Sequence, residues 1–235
     1  SMPWSSPAAR MREFILAMRA IWDNWHEGKA LEFAGKFYTH TLMTPFFTPS
    51  GNDFGAPKVF LAAVGPKMTE VAGEVADGMI VHAFTTEKYL RETTLPSLEK
   101  GFDKAGKSRA DFEISYPVFV CTGQTEEELE ESKKATAQQI AFYGSTPAYK
   151  PVLDSIGVGD LQGDLNSMSK QGRWVEMGEL ITPEIMSEFA IIGEPDKVAG
   201  QIRSRYGDIV DRTSAAYANI PKSERIKIIS ELSAG

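Results

Sequence analysis

Two stretches of this 235-residue chain hold residue types that could do chemistry. The first is Val64-Gly65-Pro66-Lys67. Pro66 suits the first turn of a helix, because its missing N–H would have had no intrahelical partner there. A helix that starts at this point presents unpaired backbone N–H groups at its N-terminus, a ready anion site, and Gly65 has no side chain to keep a phosphate away. The plainer alternative is an ordinary strand-to-helix turn. The second is His82, which follows Met79-Ile80-Val81 and so falls at the C-terminal end of an expected strand. Its imidazole titrates near neutrality and can give or take a proton, or it can be a hydrogen-bonded core residue. His26 and His40 lack a metal-spaced partner and read as structural or solvated, so no metal site is expected. Arg212 could hold a phosphate or carboxylate, but a surface ion pair suits it better. No Ser-His-Asp, Cys-His or zinc-ligand spacing is visible.

The elements that position these groups follow from periodicity. Lys58 to Ala63 is a short apolar run bounded by Pro57 and Gly65, the pattern of a strand buried on both faces. A helix is expected from about Lys67 to Ala76, with Met68, Val71, Ala72 and Val75 on one stripe. Asp77-Gly78 ends it, and Met79 to Val81 makes a second strand. Strand, crossover helix and strand should be parallel and right-handed. Upstream, Ser6 as cap and Pro7 as first residue open a long helix to about Asn24, with Met11, Phe14, Ile15, Met18, Trp22 and Trp25 on its apolar face. Two short runs around Ala34-Gly35-Lys36 suggest a hairpin, followed by the Pro-rich stretch Thr44 to Pro57.

Downstream, Thr85 or Thr86 caps a helix that Pro96 interrupts and that continues to about Lys104. Phe112 to Cys121 alternates as a third strand. Thr125 with Glu128 forms a capping box that opens an acidic helix to about Phe142. Tyr143 to Ile181 weakens into short helical pieces separated by Gly157, Gly159, Gly163 and Gly172. Pro195 opens a helix carrying Val198, Ile202 and Tyr206, Asp208 to Val210 gives a last strand, and a helix from about Ser223 to Leu232 closes the chain. Strands alternating with helices define an α/β fold with a parallel sheet.

The run L-A-A-V-G-P-K followed by E-V-A-D-G-M-I resembles the cofactor-phosphate loop and following strand of the luciferase-like monooxygenases. That family includes oxidoreductases dependent on the deazaflavin coenzyme F420 and monooxygenases dependent on FMN. G-K-F-Y at Gly35 to Tyr38 and I-I-G-E-P-D-K-V-A from Ile191 resemble it too, in the right order. The resemblance implies a (β/α)8 TIM barrel, of which the chain carries the C-terminal half as one domain over residues 1–235. Closing such a barrel takes eight βα units over roughly 250 residues. It implies cofactor binding by Ala63, Val64, Gly65, Pro66 and Lys67, and a catalytic position for His82. The expected activity is hydride transfer between F420, or alternatively FMN, and a small organic substrate. A folded half-barrel that only oligomerises, or a barrel enzyme acting on phosphate esters, are the rival readings.

Composition narrows the partners. With 42% hydrophobic and 24% charged residues the chain is an ordinary globule. Its net charge of −7 argues against nucleic acid and anionic membranes, which want a basic face. A single cysteine, Cys121, permits no internal disulfide, so a reducing cytoplasm is expected. No run is long enough to span a bilayer. Ser1-Met2 reads as a remnant of cloning. The missing barrel strands would leave sheet edges open, so a homo-oligomer is expected.

Overall fold

The computed structural model describes residues 5–50, 52–213, 216–217 and 221–234. In chain order its elements are helix α1 (Pro7–Glu27), the hairpin strands β1 (Phe33–Ala34) and β2 (Thr39–His40), β3 (Phe60–Ala63), α2 (Pro66–Val75) and β4 (Gly78–Val81). Next come α3 (Glu87–Tyr89), a π-turn at Leu90–Thr94, α4 (Leu95–Ala105), β5 (Glu113–Tyr116), β6 (Phe119–Cys121), α5 (Glu126–Gly144), α6 (Lys150–Ser155), α7 (Leu161–Lys170) and α8 (Trp174–Met177). The chain ends with α9 (Pro183–Phe189), β7 (Ala190–Ile192), α10 (Pro195–Tyr206), β8 (Arg212–Thr213), β9 (Ala216–Tyr217) and α11 (Lys222–Ser233). These fall into two compact units, Ser1–Ile80 with Pro96–Glu113, and Val81–Leu95 with Ile114–Gly235.

The first unit is built on the strand–helix–strand run that the sequence predicts. Strand β3 neighbours β4, and the chain entering β4 bonds to the chain entering β3: Asp77 N–H donates to the Val59 carbonyl at 2.8 Å. The strands therefore run in the same direction. Helix α2 turns Val71, Ala72 and Val75 inward. Its outer partner α4 comes so close that a Cβ on Gly73 would stand 2.5 Å from the Leu98 carbonyl oxygen, and one on Gly101 would stand 2.7 Å from the Glu74 nitrogen. Both glycines are there for backbone-to-backbone approach.

Helix α1 keeps most of its predicted face, with Met11, Met18, Trp22 and Trp25 half-buried. It buries Ile15 and Ala17, whereas Phe14 stays 42% exposed and packs against the Tyr38 ring. Nor does Ser6 cap it by side chain; Ser6 has a left-handed φ of 45° and no capping bond. The hairpin pairs Phe33 with His40, antiparallel. It is clamped to α1 by Glu13, whose carboxylate accepts the N–H groups of Lys36, Phe37 and Tyr38 at 3.0, 2.5 and 2.7 Å. Gly35 leaves room for this, since a Cβ there would collide with the Glu13 carboxylate.

The second unit departs further from the expected strands. Phe112 to Cys121 is not one strand but two, broken at Pro117. β5 pairs in parallel with β8 (Ser115 with Arg212), while β6 pairs in parallel with both β7 and β9. Proline has no N–H for a ladder, so it falls where the chain leaves one sheet for the other. Asp208 to Val210 is a turn after α10, and the strand begins later, at Arg212. The apolar pattern of Ile209 and Val210 misleads because Ile209 is buried from a turn. Ala190–Ile192 is a strand that the periodicity does not predict.

Pro96 does not interrupt the helical path. Leu95 N–H reaches back to the Leu90 carbonyl, and this wider π-turn register precedes the proline and absorbs it. Thr86 and Thr125 cap as predicted, accepting from the N–H groups of Tyr89 and Glu128. The capping box is offset by one residue, since Glu128 accepts the N–H of Gln124. Gly163 lies inside α7 and breaks nothing, whereas Gly157 and Gly172 take left-handed φ values of 80° and 72° and do end segments. The core of this unit gathers Phe84, Phe119, Ile140, Leu153, Leu165 and Phe189, all at most 1% exposed, around α5.

Candidate functional site

Gly65 is the N-cap of α2, with φ −84° and ψ 154°, an extended conformation open to any residue. A Cβ built on it meets nothing within 4 Å. Neither the backbone nor the packing asks for glycine here. The helix behind it has ten residues, Pro66 in its first turn and no acidic side chain there. Met68 and Thr69 both donate to the Gly65 carbonyl at 3.1 Å. Helix geometry supplies no partner for the N–H of Lys67, and Gly65, Pro66 and Lys67 are all exposed while Ala63 is buried in β3. The turn thus offers solvent-facing donors, the positive end of a helix and a lysine, with space in front of them.

His82 leaves the end of β4 half-buried, and its Nδ1 accepts the Phe84 N–H at 3.0 Å. That bond assigns the tautomer: the neutral ring carries its proton on Nε2. Burial pushes the imidazole below its ordinary value of 6.5. With Nδ1 engaged and protonation disfavoured, the ring is a hydrogen-bond donor through Nε2 and a poor base.

Tyr143 stands edge-on to the His82 ring with centroids 4.7 Å apart, and Tyr149 lies tilted at 4.9 Å. The sequence does not pair these rings with His82. They flank the end of α5, where the pattern weakens, and the available signal is two tyrosines either side of Gly144-Ser145-Thr146-Pro147.

Other features drop out on their contacts. His40 stacks on Tyr38 within the hairpin, and no cluster among the described residues could hold a metal. Cys121 is fully buried, and burial raises its thiol. A cleft of about 860 Å³ opens between α10, β8 and α11, but it includes neither Gly65 nor His82. Three of its polar side chains are already engaged, Arg203 with the Glu231 carbonyl, Asp211 with the Ile114 N–H and Thr213 with the Tyr116 carbonyl. No described helix is long and apolar enough to cross a membrane.

Residues 1–212 match the luciferase-like monooxygenase family, and the chain belongs to it. An uncharacterised protein of Mycobacterium tuberculosis is 50% identical over 212 residues, 90% of this chain and 62% of the relative. The 5,10-methylenetetrahydromethanopterin reductase of Archaeoglobus fulgidus is 28% identical over 203 residues, 85% of this chain and 57% of that enzyme. Among solved structures, the coenzyme F420 dependent tetrahydromethanopterin reductase from Methanopyrus kandleri matches 99% of this chain and 63% of its own, with a TM-score of 0.71 and 21% identity. The fold is the α/β, parallel-sheet fold of the luciferase-like barrels. The chain spans less than two thirds of the length of these relatives.

Proposed function

We propose that this chain forms part of an F420-dependent oxidoreductase, with the turn Ala63 to Lys67 holding the phosphate of the cofactor and His82 facing the substrate. The observation that carries the reading is Gly65: a glycine that neither conformation nor packing requires, placed before a ten-residue helix whose first turn has no acid. A ligand that approaches the backbone is a physical reason to keep the side chain away. The solved reductase names F420, and the matching relatives reported above do not name FMN.

When bound, the deazaflavin supplies the hydride chemistry. The chain's own share is binding and orientation. Backbone N–H groups of Gly65 and Lys67 bind the anion, helped by the helix terminus and the Lys67 ammonium. Ala63, at the end of β3, fixes where that turn starts. His82 keeps a proton on Nε2 and offers it as a hydrogen bond to a substrate oxygen, with the Phe84 N–H holding the ring in place.

The test is a fluorescence titration of the intact protein with F420 and, separately, with FMN. F420 should bind and FMN should bind more weakly. Gly65→Val should weaken F420 binding by roughly ten- to a hundred-fold, the loss of one or two charge-assisted hydrogen bonds. Its melting temperature should hardly move, because the space around that Cβ is empty and valine accepts an extended backbone. Equal affinity of wild type and variant removes the phosphate role from this turn. Failure of either cofactor to bind favours the non-catalytic reading.

A further inference from the structure

After β4, aromatic rings gather in two layers. Phe84, Phe119 and Phe189 form a floor that is at most 1% exposed, with Phe84 stacked on Phe189 at 4.7 Å. Above it the half-buried rings of His82, Tyr143 and Tyr149 form a rim. Tyr149 and Tyr143 lie 5.7 and 6.3 Å from the Phe84 ring, so floor and rim are one packed unit. Packing alone would be served by phenylalanine at every position. All three rim rings instead carry a hydrogen-bonding atom, the Nε2–H of His82 and two phenol hydroxyls. Among the described residues neither phenol bonds to a protein group, and His82 uses Nδ1 alone. The charged residue beside Tyr149, Lys150, is paired with Asp154 and adds no free charge to the rim.

We infer that His82, Tyr143 and Tyr149 form a substrate-binding wall that takes a neutral, flat group bearing a carbonyl or similar acceptor oxygen. The inference deepens the oxidoreductase reading and rests on it for the word substrate. Tyr143 stands at 89° to the His82 ring and 70° to the Tyr149 ring, while His82 and Tyr149 are inclined by 36°, so the three offer both faces and edges to a planar group. Three donors that carry no charge of their own suit an uncharged oxygen. A carboxylate or phosphate would lose water against the negative faces of the rings with nothing to pair it, so this wall discriminates against anions.

A matched pair of probes tests this: 2-acetylnaphthalene, a neutral aromatic ketone, and 2-naphthoate, its anionic counterpart. Binding to the intact protein is followed by the ring-proton NMR signals of His82, identified by their loss in His82→Asn. The ketone should shift those signals saturably, and the carboxylate at equal concentration should not. Tyr143→Phe and Tyr149→Phe keep the rings and the fold, and each should weaken ketone binding about fivefold, the worth of one hydrogen bond. F420 affinity, measured in parallel, should be the same in both variants. No His82 shift with the ketone, a carboxylate that binds as well as the ketone, or phenylalanine variants that bind it unchanged would each overturn the inference. F420 binding without a ketone shift would overturn it while leaving the cofactor reading intact. A ketone shift without F420 binding would do the reverse.

Discussion

Glu13 shows how much one side chain can organise. Burial works to raise its carboxyl, but the bonds from Phe37, Tyr38 and Lys36 and the nearby Arg10 charge outweigh it, and it titrates below the ordinary 4.5. A lowered carboxylate contributes stability that is present above 4.5 and lost as pH falls through the lower folded value. Glu13→Gln should therefore lower the melting temperature at neutral pH, and the gap should close as both proteins are acidified well below 4.5. A gap independent of pH would contradict this. His82 has the same sense of proton linkage, in a higher pH range. Folding depresses its affinity for a proton, so stability falls as pH drops below 6.5. An NMR titration should find the His82 ring still mostly neutral at pH 6.5. In His82→Asn, whose amide oxygen can accept the Phe84 N–H, this acid-side loss should vanish. Glu13 is not legible in the sequence as a ligand of the Gly35–Tyr38 turn, because three backbone donors carry no side-chain signature. Gly65 is legible, since glycine and proline mark the turn by type alone.

Among the elements, the α2–α4 contact gives the sharpest expectation. Alanine in place of glycine inside a helix would ordinarily stabilise by about 1 kcal/mol. At Gly73 or Gly101 the new methyl meets backbone, which cannot rotate away, and overpacking of that kind costs about 1–3 kcal/mol. The clash should win at both sites, so Gly73→Ala and Gly101→Ala should each lower stability in denaturant melts; a gain would show that the helices separate freely. The run from Phe60 to Val81 is readable because the strand, helix and turn signals agree along it. Phe112 to Cys121 is misread because alternation continues through Pro117, while the hydrogen-bonding partners change sheet there. Pairing is a property of other segments, and periodicity within one segment cannot report it.

At the scale of the molecule, the first unit exposes large rings: Phe46 is 88%, Phe47 73% and Phe54 96% exposed. Apolar surface of that kind tends to find a partner, and self-association is expected. Light scattering at micromolar concentration should give more than a monomer mass; a monomer that melts cooperatively and binds no hydrophobic dye would contradict this. Sheet assembly itself carries a further device. Asp77 gives its N–H to the Val59 carbonyl and takes the Val59 N–H on Oδ2 at 2.7 Å, with Arg19 bonded to the same oxygen at 2.8 Å. In the second unit, Asp211 does the same with both backbone groups of Ile114, at 3.0 and 2.7 Å. Each aspartate thus clasps one residue at the start of a neighbouring strand, across 18 and 97 positions of sequence. Parallel strands meet late and from far apart, and a one-residue slip would turn every side chain to the wrong face. A slipped strand would also leave the aspartate without its backbone partner. The pair of clasps therefore adds to the free-energy gap between the native register and a slipped one.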